Sequence, residues 1–319
     1  MAQSPLKKNP RISVNGVLLL DKPVGWSSND ALVRTKRLLN AKKGGHTGTL
    51  DPFATGLLPL CFGEATKFAQ DLLDADKGYE TVVHLGTTTT TGDTEGEILE
   101  TREVNVTIAQ IEEALTLFRG EIDQVPPMYS ALKRDGKPLY EYARAGIELE
   151  RASRRITILE LELLAYREPY LSLRVLCSKG TYIRVLGEDI GRALGCGAHL
   201  NALRRTKVGN LTLEGARELP ALEKLPQSEL SLLLEPADLL LSSFPMLLLT
   251  QDLAARFMQG QRLALAKEGV AIPDEAGRVR VYRADDRQLL GTGIVKDHGV
   301  LAPERLIATE TAIAASSSA

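Results

Sequence analysis

A chain of 319 residues suits about two domains, and 44% hydrophobic against 25% charged residues is ordinary for a globular protein with a substantial core. The net charge of −2 excludes a protein held to nucleic acid by bulk charge, so any such contact has to come from local patches.

Residues 17–20 predict a short buried strand. Ser28 is placed to cap a helix over 29–39. A strand follows over 57–62, with Pro59 marking an edge or a bend. Segment 64–73 carries Ala65, Phe68, Ala69, Leu72 and Leu73 at helical spacing. After a strand over 79–85 comes a threonine- and glycine-rich loop over 87–96. Thr107 caps a helix bearing Ile108, Ile111, Leu115 and Phe118, which Gly120 ends. Residues 121–138 predict irregular structure, and 139–144 a short helix. Apolar and polar residues alternate over 156–164 and 171–177, as in paired strands. Helices are predicted over 181–194, closed by Gly195, and over 212–219. Near residue 245 the character changes. Thr250 caps a last helix, and short strands follow at 279–282, 289–295 and 299–301. Strands and helices mix without regular alternation, which assigns the chain to the α+β class. The low-complexity tail over 314–319 is expected to be disordered, and the polar segment over 1–12 to be flexible.

Cys61, Cys177 and Cys196 show neither a disulfide framework nor paired metal spacing, so reduced thiols in a cytoplasmic protein are expected. Residues 1–11 lack the apolar core of a signal peptide, and no run of about 20 apolar residues marks a membrane span. Two stretches are basic and free of acids. One holds Arg34, Lys36, Arg37, Lys42 and Lys43; the other holds Arg192, Arg204, Arg205 and Lys207. Such stretches can face phosphates even in a neutral protein.

The most distinctive segment is Gly44-Gly45-His46-Thr47-Gly48-Thr49-Leu50-Asp51-Pro52. Its glycines permit backbone conformations that other residues resist, and Pro52 keeps Asp51 out of helical geometry. One aspartate is thus held on a tight loop of the kind that carries function. Upstream lies Gly16-Val17-Leu18-Leu19-Leu20-Asp21-Lys22-Pro23-Val24-Gly25-Trp26-Ser27-Ser28. Downstream lies Ala54-Thr55-Gly56-Leu57-Leu58-Pro59-Leu60-Cys61-Phe62-Gly63-Glu64-Ala65-Thr66-Lys67. Further on come Asp76-Lys77-Gly78-Tyr79, Cys177-Ser178-Lys179-Gly180-Thr181-Tyr182-Ile183-Arg184 and His199-Leu200-Asn201-Ala202-Leu203-Arg204-Arg205. These motifs, in this order over roughly residues 14–306, resemble the TruB family of bacterial tRNA pseudouridine-55 synthases.

That resemblance implies a mixed, largely antiparallel sheet core with flanking helices. A catalytic domain is implied over 13–248 and a small β-rich, PUA-like RNA-binding domain over 249–313. It implies isomerisation of uridine 55 in the tRNA T-loop, with the base flipped out of its stack. Asp51 corresponds to the family's catalytic aspartate and Arg184 to its cationic partner. Tyr79 is similar to the tyrosine that stacks on the target base, and His46 to the histidine inserted beside the flipped nucleotide. Tyr182 and Leu203 match positions lining the uracil pocket, while Lys22 and Pro23 support the catalytic loop. Thr49 and Phe53 depart from the alanine or serine, and the leucine, of many relatives. No metal or cofactor is expected, because no ligand spacing and no dinucleotide or phosphate-loop motif is present. The expected partner of a monomer is the T-stem-loop of tRNA, not DNA or a membrane. The rival reading is a tRNA-folding chaperone that uses the same surface without required catalysis.

Overall fold

The computed structural model describes residues 10–273 and 276–308. The tail expected over 314–319 lies outside them, as does most of the segment expected to be flexible at the N-terminus.

Two apolar runs found the core. The first forms β1 (Gly16–Lys22), which leads into α1 (Ser28–Leu38). Ser27, not Ser28, caps that helix by accepting from the Asp30 N–H; Ser28 turns inward instead. Strand β2 (Gly44–His46) then runs to the Asp51 turn, and the second apolar run forms β3 (Thr55–Phe62). Both β1 and β3 are covered on two sides. Leu18, Leu20, Leu58 and Leu60 enter the main core, while Val17, Leu57 and Cys61 pack with Ala65, Phe68, Leu240 and Leu241 on the other face. Burial on both faces explains why these strands are continuously apolar. Pro59 is tolerated inside the sheet, not at its edge. It falls between the residues of β3 that meet the strand 198–208 (Thr55 and Gly56) and those that meet β2 (Leu60 to Phe62).

A 3-10 turn (Gly63–Phe68) runs into α2 (Ala69–Leu73), and β4 (Lys77–Leu85) follows. The threonine-rich segment forms a small ribbon of β5 (Thr87–Thr89) and β6 (Ile98–Thr101) around a turn. Helix α3 (Ile108–Thr116) starts on a capping box in which Thr107 and Gln110 satisfy each other's backbone N–H groups. Residues 121–138 are not wholly irregular. Strand β7 (Gly120–Gln124) extends the sheet, and a hairpin of β8 (Lys133–Arg134) and β9 (Lys137–Pro138) precedes α4 (Leu139–Arg144). The polar residues of β7 suit a sheet-edge strand.

Strands β10 (Arg154–Arg167) and β11 (Tyr170–Cys177) pair antiparallel, as their alternation predicts. Helix α5 (Ile183–Ala193) then crosses the sheet onto β12 (Ala198–Val208). Its Gly191 makes the close approach possible, since a Cβ there would stand 2.4 Å from the Ala198 Cβ. The helix predicted over 212–219 is replaced by β13 (Leu211–Thr212), β14 (Arg217–Glu218) and the start of α6 (Leu219–Leu222). Pairing of β14 with β1 overrides local preference there. The large sheet runs β14-β1-β3-β12-β4-β11-β10-β7, so β12 is the strand that joins its two halves.

After α7 (Gln227–Leu232) the chain enters a second, five-stranded sheet. This contains β15 (Met246–Leu249), β16 (Leu263–Ala264), β17 (Gly277–Arg283), β18 (Leu289–Lys296) and β19 (Val300–Leu306), with α8 (Gln251–Met258) packed on it. It has its own core around Leu249, Phe257, Val281 and Leu301. Polar contacts tie it to the 3-10 turn and α2. Arg278 bonds Asp71, Lys67 donates to the Leu306 carbonyl at 2.7 Å, and Arg305 donates to the Lys67 carbonyl at 2.7 Å. Among the described residues, no helix is long and apolar enough to cross a membrane.

Candidate active site

Asp51 lies in the turn between β2 and β3, and that turn is held on every side. The Ser28 hydroxyl accepts from the Leu50 N–H at 2.7 Å and donates to the Leu50 carbonyl at 3.1 Å. The Pro52 carbonyl accepts from the Gly25 N–H at 2.8 Å and from the Lys22 amine at 3.4 Å. Lys22 is wholly buried and also donates to the carbonyls of Pro23 (2.9 Å) and Trp26 (2.7 Å). Burial pushes its amine down to about 8, against the pull of the nearby Asp51 carboxylate. Pro23 enters only through that carbonyl. Thr49 is exposed and Phe53 is buried in the core, so neither departure disturbs the turn.

Arg184, in the first turn of α5, meets this loop from the opposite wall. Its Nε stands 2.9 Å from Asp51 Oδ2 and 3.6 Å from Asp93 Oδ2. Its two Nη atoms donate to the carbonyls of Thr91 (2.8 Å) and Tyr129 (2.5 Å). The guanidinium is therefore locked in place, with its side chain 4% exposed, whereas the Asp51 side chain is 36% exposed. Of the pair, Asp51 is the group that can meet a ligand. Burial raises the Asp51 carboxyl above the usual carboxylate range; Arg184 opposes the shift and Asp93 adds to it.

Tyr79 and Leu203 lie side by side, because β4 and β12 pair Tyr79 with Arg205 and Thr81 with Leu203. Both are buried, and burial pushes the Tyr79 phenol up to about 12. Tyr182 precedes α5. Its N–H donates to the Gln124 side-chain oxygen at 2.8 Å and its carbonyl accepts from the Gln124 amide at 3.1 Å. His46 ends β2, half-buried, with its Nδ1 lacking a hydrogen-bond partner. Burial, followed by the Arg205 charge, lowers its imidazole below the ordinary value. Arg184, Lys22, Tyr79 and Tyr182 all lie within electrostatic reach of Asp51.

The chain matches three consecutive family models. These are the N-terminal domain of TruB family pseudouridylate synthases over residues 36–183, the tRNA pseudouridylate synthase B C-terminal domain over 184–242, and the C-terminal region of pseudouridine synthase II TruB over 245–307. It is 62% identical over 308 residues to the tRNA pseudouridine synthase B of Burkholderia mallei, covering 96% of this chain and 98% of that protein. It is 61% identical over 312 residues to that of Ralstonia pickettii, covering 94% and 96%. The chain belongs to the TruB family of pseudouridylate synthases. Among solved structures, a Cbf5-Nop10-Gar1 complex matches with a TM-score of 0.70 at 26% identity, over 91% of this chain and 84% of that one. An H/ACA RNP bound to a substrate RNA containing 2′-deoxyuridine shares the fold at 0.70 and 24% identity, over 96% and 92%.

Three residues that shape the site are not among the candidates read from the sequence: Asp93 and Gln124 lie outside the motifs, and Arg205 lies in one but is assigned to a basic patch. Asp93, in the turn between β5 and β6, is the second carboxylate on Arg184 and is itself buried. Its one sequence signal is a Gly-Asp-Thr step that places an aspartate in a glycine turn, as at Asp51. Gln124 brackets Tyr182 from a strand where irregular structure is predicted. Arg205 is 1% exposed, which removes it from the basic patch assigned to it. In the same patch Arg204 donates to both carboxylate oxygens of Asp21 (3.0 and 2.6 Å), and in the other Arg34 pairs with Glu223 at 2.6 Å. Arg37, Lys42, Lys43 and Lys207 remain exposed. Among the described residues no cluster of three or more His, Cys, Asp and Glu side chains is arranged to hold a metal ion. Burial pushes the Cys61 and Cys177 thiols up to about 12, which makes them poor nucleophiles.

Proposed function

We propose that this protein isomerises uridine 55 in the T-loop of tRNA to pseudouridine, with Asp51 as the carboxylate that acts on the target nucleotide. The observation that carries the reading is the Asp51–Arg184 pair, an accessible carboxylate on a buried, fully bonded guanidinium. The near-identical length and naming of the 61–62% identical relatives support tRNA as the substrate.

In the reaction the N1–C1′ bond breaks and a C5–C1′ bond forms. The uracil turns between the two steps, C5 loses its proton and N1 takes one. The atoms balance with no redox step. A base inside a stacked loop has to be extruded first, and His46 fills the gap it leaves. Tyr79 offers a face on which the free base stacks, a contact worth about 1–3 kcal/mol. Leu203 and Tyr182 line the remaining walls, so the base turns in a dry slot beside the carboxylate. Arg184 keeps Asp51 aimed, while Lys22 and Pro23 hold the turn that carries it. The first domain, from residue 13 to the start of β15, does the chemistry, and the β-rich module, which β15 opens at Met246 and not at the expected 249, adds RNA-binding surface in a PUA-like manner. The enzyme works as a monomer in the cytoplasm.

The test is to incubate the purified protein with unmodified tRNA transcript and map pseudouridine by position. Modification confined to position 55 in the wild type, and lost in Asp51→Asn with tRNA affinity kept within about tenfold, is the expected result. Isomerisation by Asp51→Asn at the wild-type rate would overturn Asp51 as the acting carboxylate, and a wild type that binds tRNA without isomerising it would favour a binding role.

A further inference from the structure

Arg205 is a buried cation that the proposed chemistry does not use. Its Nε donates to the Leu57 carbonyl at 2.8 Å, and its Nη atoms donate to the carbonyls of Gly48 at 3.2 Å and Thr49 at 3.4 Å. These acceptors lie on both sides of Asp51 in the chain, so one guanidinium closes the whole loop from 48 to 57. Among the described residues no carboxylate lies within salt-bridge distance of it. Tyr79 is its partner in the β4–β12 register, and the Tyr79 phenol, His46 and Lys77 lie within electrostatic reach of the guanidinium. The backbone of β3 also presses on this residue. A Cβ at Gly56, which sits at φ +101°, would stand 2.2 Å from the Arg205 carbonyl oxygen.

Burying a cation without a counter-ion costs stability, so an apolar side chain would serve the fold better at this position. Contact with tRNA phosphates is also closed to a side chain this deeply buried. What the arrangement does supply is a fixed geometric relation. One rigid, planar fork grips the loop before the carboxylate and the strand after it, from the position of β12 that pairs with the tyrosine.

We infer that Arg205 is a positioning residue of the isomerisation, holding the loop that carries Asp51 in register with Tyr79 so that carboxylate and base platform face the same nucleotide. The inference rests on the reading of Asp51 and Tyr79 given above. A lysine keeps the charge but ends in one compact nitrogen on a flexible stem, so it does not reproduce the planar spacing of the three guanidinium nitrogens that meet Leu57, Gly48 and Thr49.

The experiment compares Arg205→Lys and Arg205→Gln with wild type by thermal melting, tRNA affinity and single-turnover rate at saturating unmodified tRNA. The expected result is a cooperative melt, affinity within about threefold, and a rate lower by about 100-fold, the size of effect that a 1 Å misplacement produces. Three results would overturn it: a wild-type rate in Arg205→Lys, weakened affinity with the rate intact, or loss of folding in both variants. The last would make the residue a part of the fold alone. Wild type and Asp51→Asn run as controls. An inactive wild type or an active Asp51→Asn would sink the underlying reading, whereas a full rate in Arg205→Lys beside normal controls sinks this inference only.

Discussion

Asp51 sets function against stability at the level of one side chain. Its carboxyl is raised above the ordinary value, chiefly by burial, so the folded protein holds that proton more readily than the unfolded chain does. Stability then falls as pH rises through the raised value, because the folded state has to carry an ionised, poorly solvated carboxylate. The role proposed for Asp51 needs the ionised form. The single-turnover rate should therefore fall on acidification with a midpoint above that of an ordinary aspartate, and an acid limb at or below the ordinary value would contradict the geometry. The same asymmetry predicts that Asp51→Asn melts at or above the wild-type temperature at neutral pH, a comparison that calorimetry can make directly. Asp51 was legible in the sequence because glycines and a proline isolate it. Asp93 was not, since a carboxylate reads as exposed until the fold supplies the guanidinium it faces. Arg205 was misread for the same reason: three consecutive residues Leu203-Arg204-Arg205 say nothing about which arginine turns inward.

At the level of elements, α5 shows how a helix becomes an instrument of the site. Ile183, Leu186 and Ile190 form its buried stripe, and this spacing made the helix legible in advance. The depth at which it seats depends on glycine. Gly191→Val would push branched carbons into Ala198, at a cost of about 1–3 kcal/mol for overpacking, and would lift Arg184 away from Asp51. Both the melting temperature and the single-turnover rate should drop together; a drop in melting temperature alone would mean that Arg184 holds its place independently of the helix seat. Elements whose formation depends on a distant partner were the ones that sequence could not show. Strand β14 exists because β1 offers an edge, and β7 because β10 does. Local composition over 212–219 and 121–124 contains neither neighbour.

The molecule as a whole joins two sheets through a few charges, and a few more are exposed where the proposed RNA contact would draw on them. Arg278 reaches from β17 to Asp71 in α2 and stands 2.5 Å from Glu304. Removing it leaves the nearly buried Asp71 with Arg305, 3.7 Å away, so Arg278→Ala should destabilise the protein by about 1–3 kcal/mol, short of the cost of a wholly uncompensated buried charge. Denaturant unfolding measures this, and a loss below about 1 kcal/mol would mark the contact as peripheral. For RNA the exposed cations are the relevant ones. Neutralising Lys42 and Lys43 together should flatten the dependence of log affinity on log salt by about one to two units, because each phosphate contact releases counterions. The position modified should not change, since backbone contacts position and base contacts specify.

Strand β12 carries one more consequence, for a protein that emerges from the ribosome one residue at a time. It is the strand shared by β3 and β4, and it begins only at Ala198. Until then the nascent chain holds two half-sheets, each with an open edge that invites pairing with other chains. Such non-local closure is slow by its nature. A chain stopped at Gly197 should therefore aggregate or remain protease-sensitive, while one extended past Val208 should gain resistance abruptly. Limited proteolysis of stalled chains of increasing length would follow that step, and a gradual gain of resistance would show that the halves fold independently.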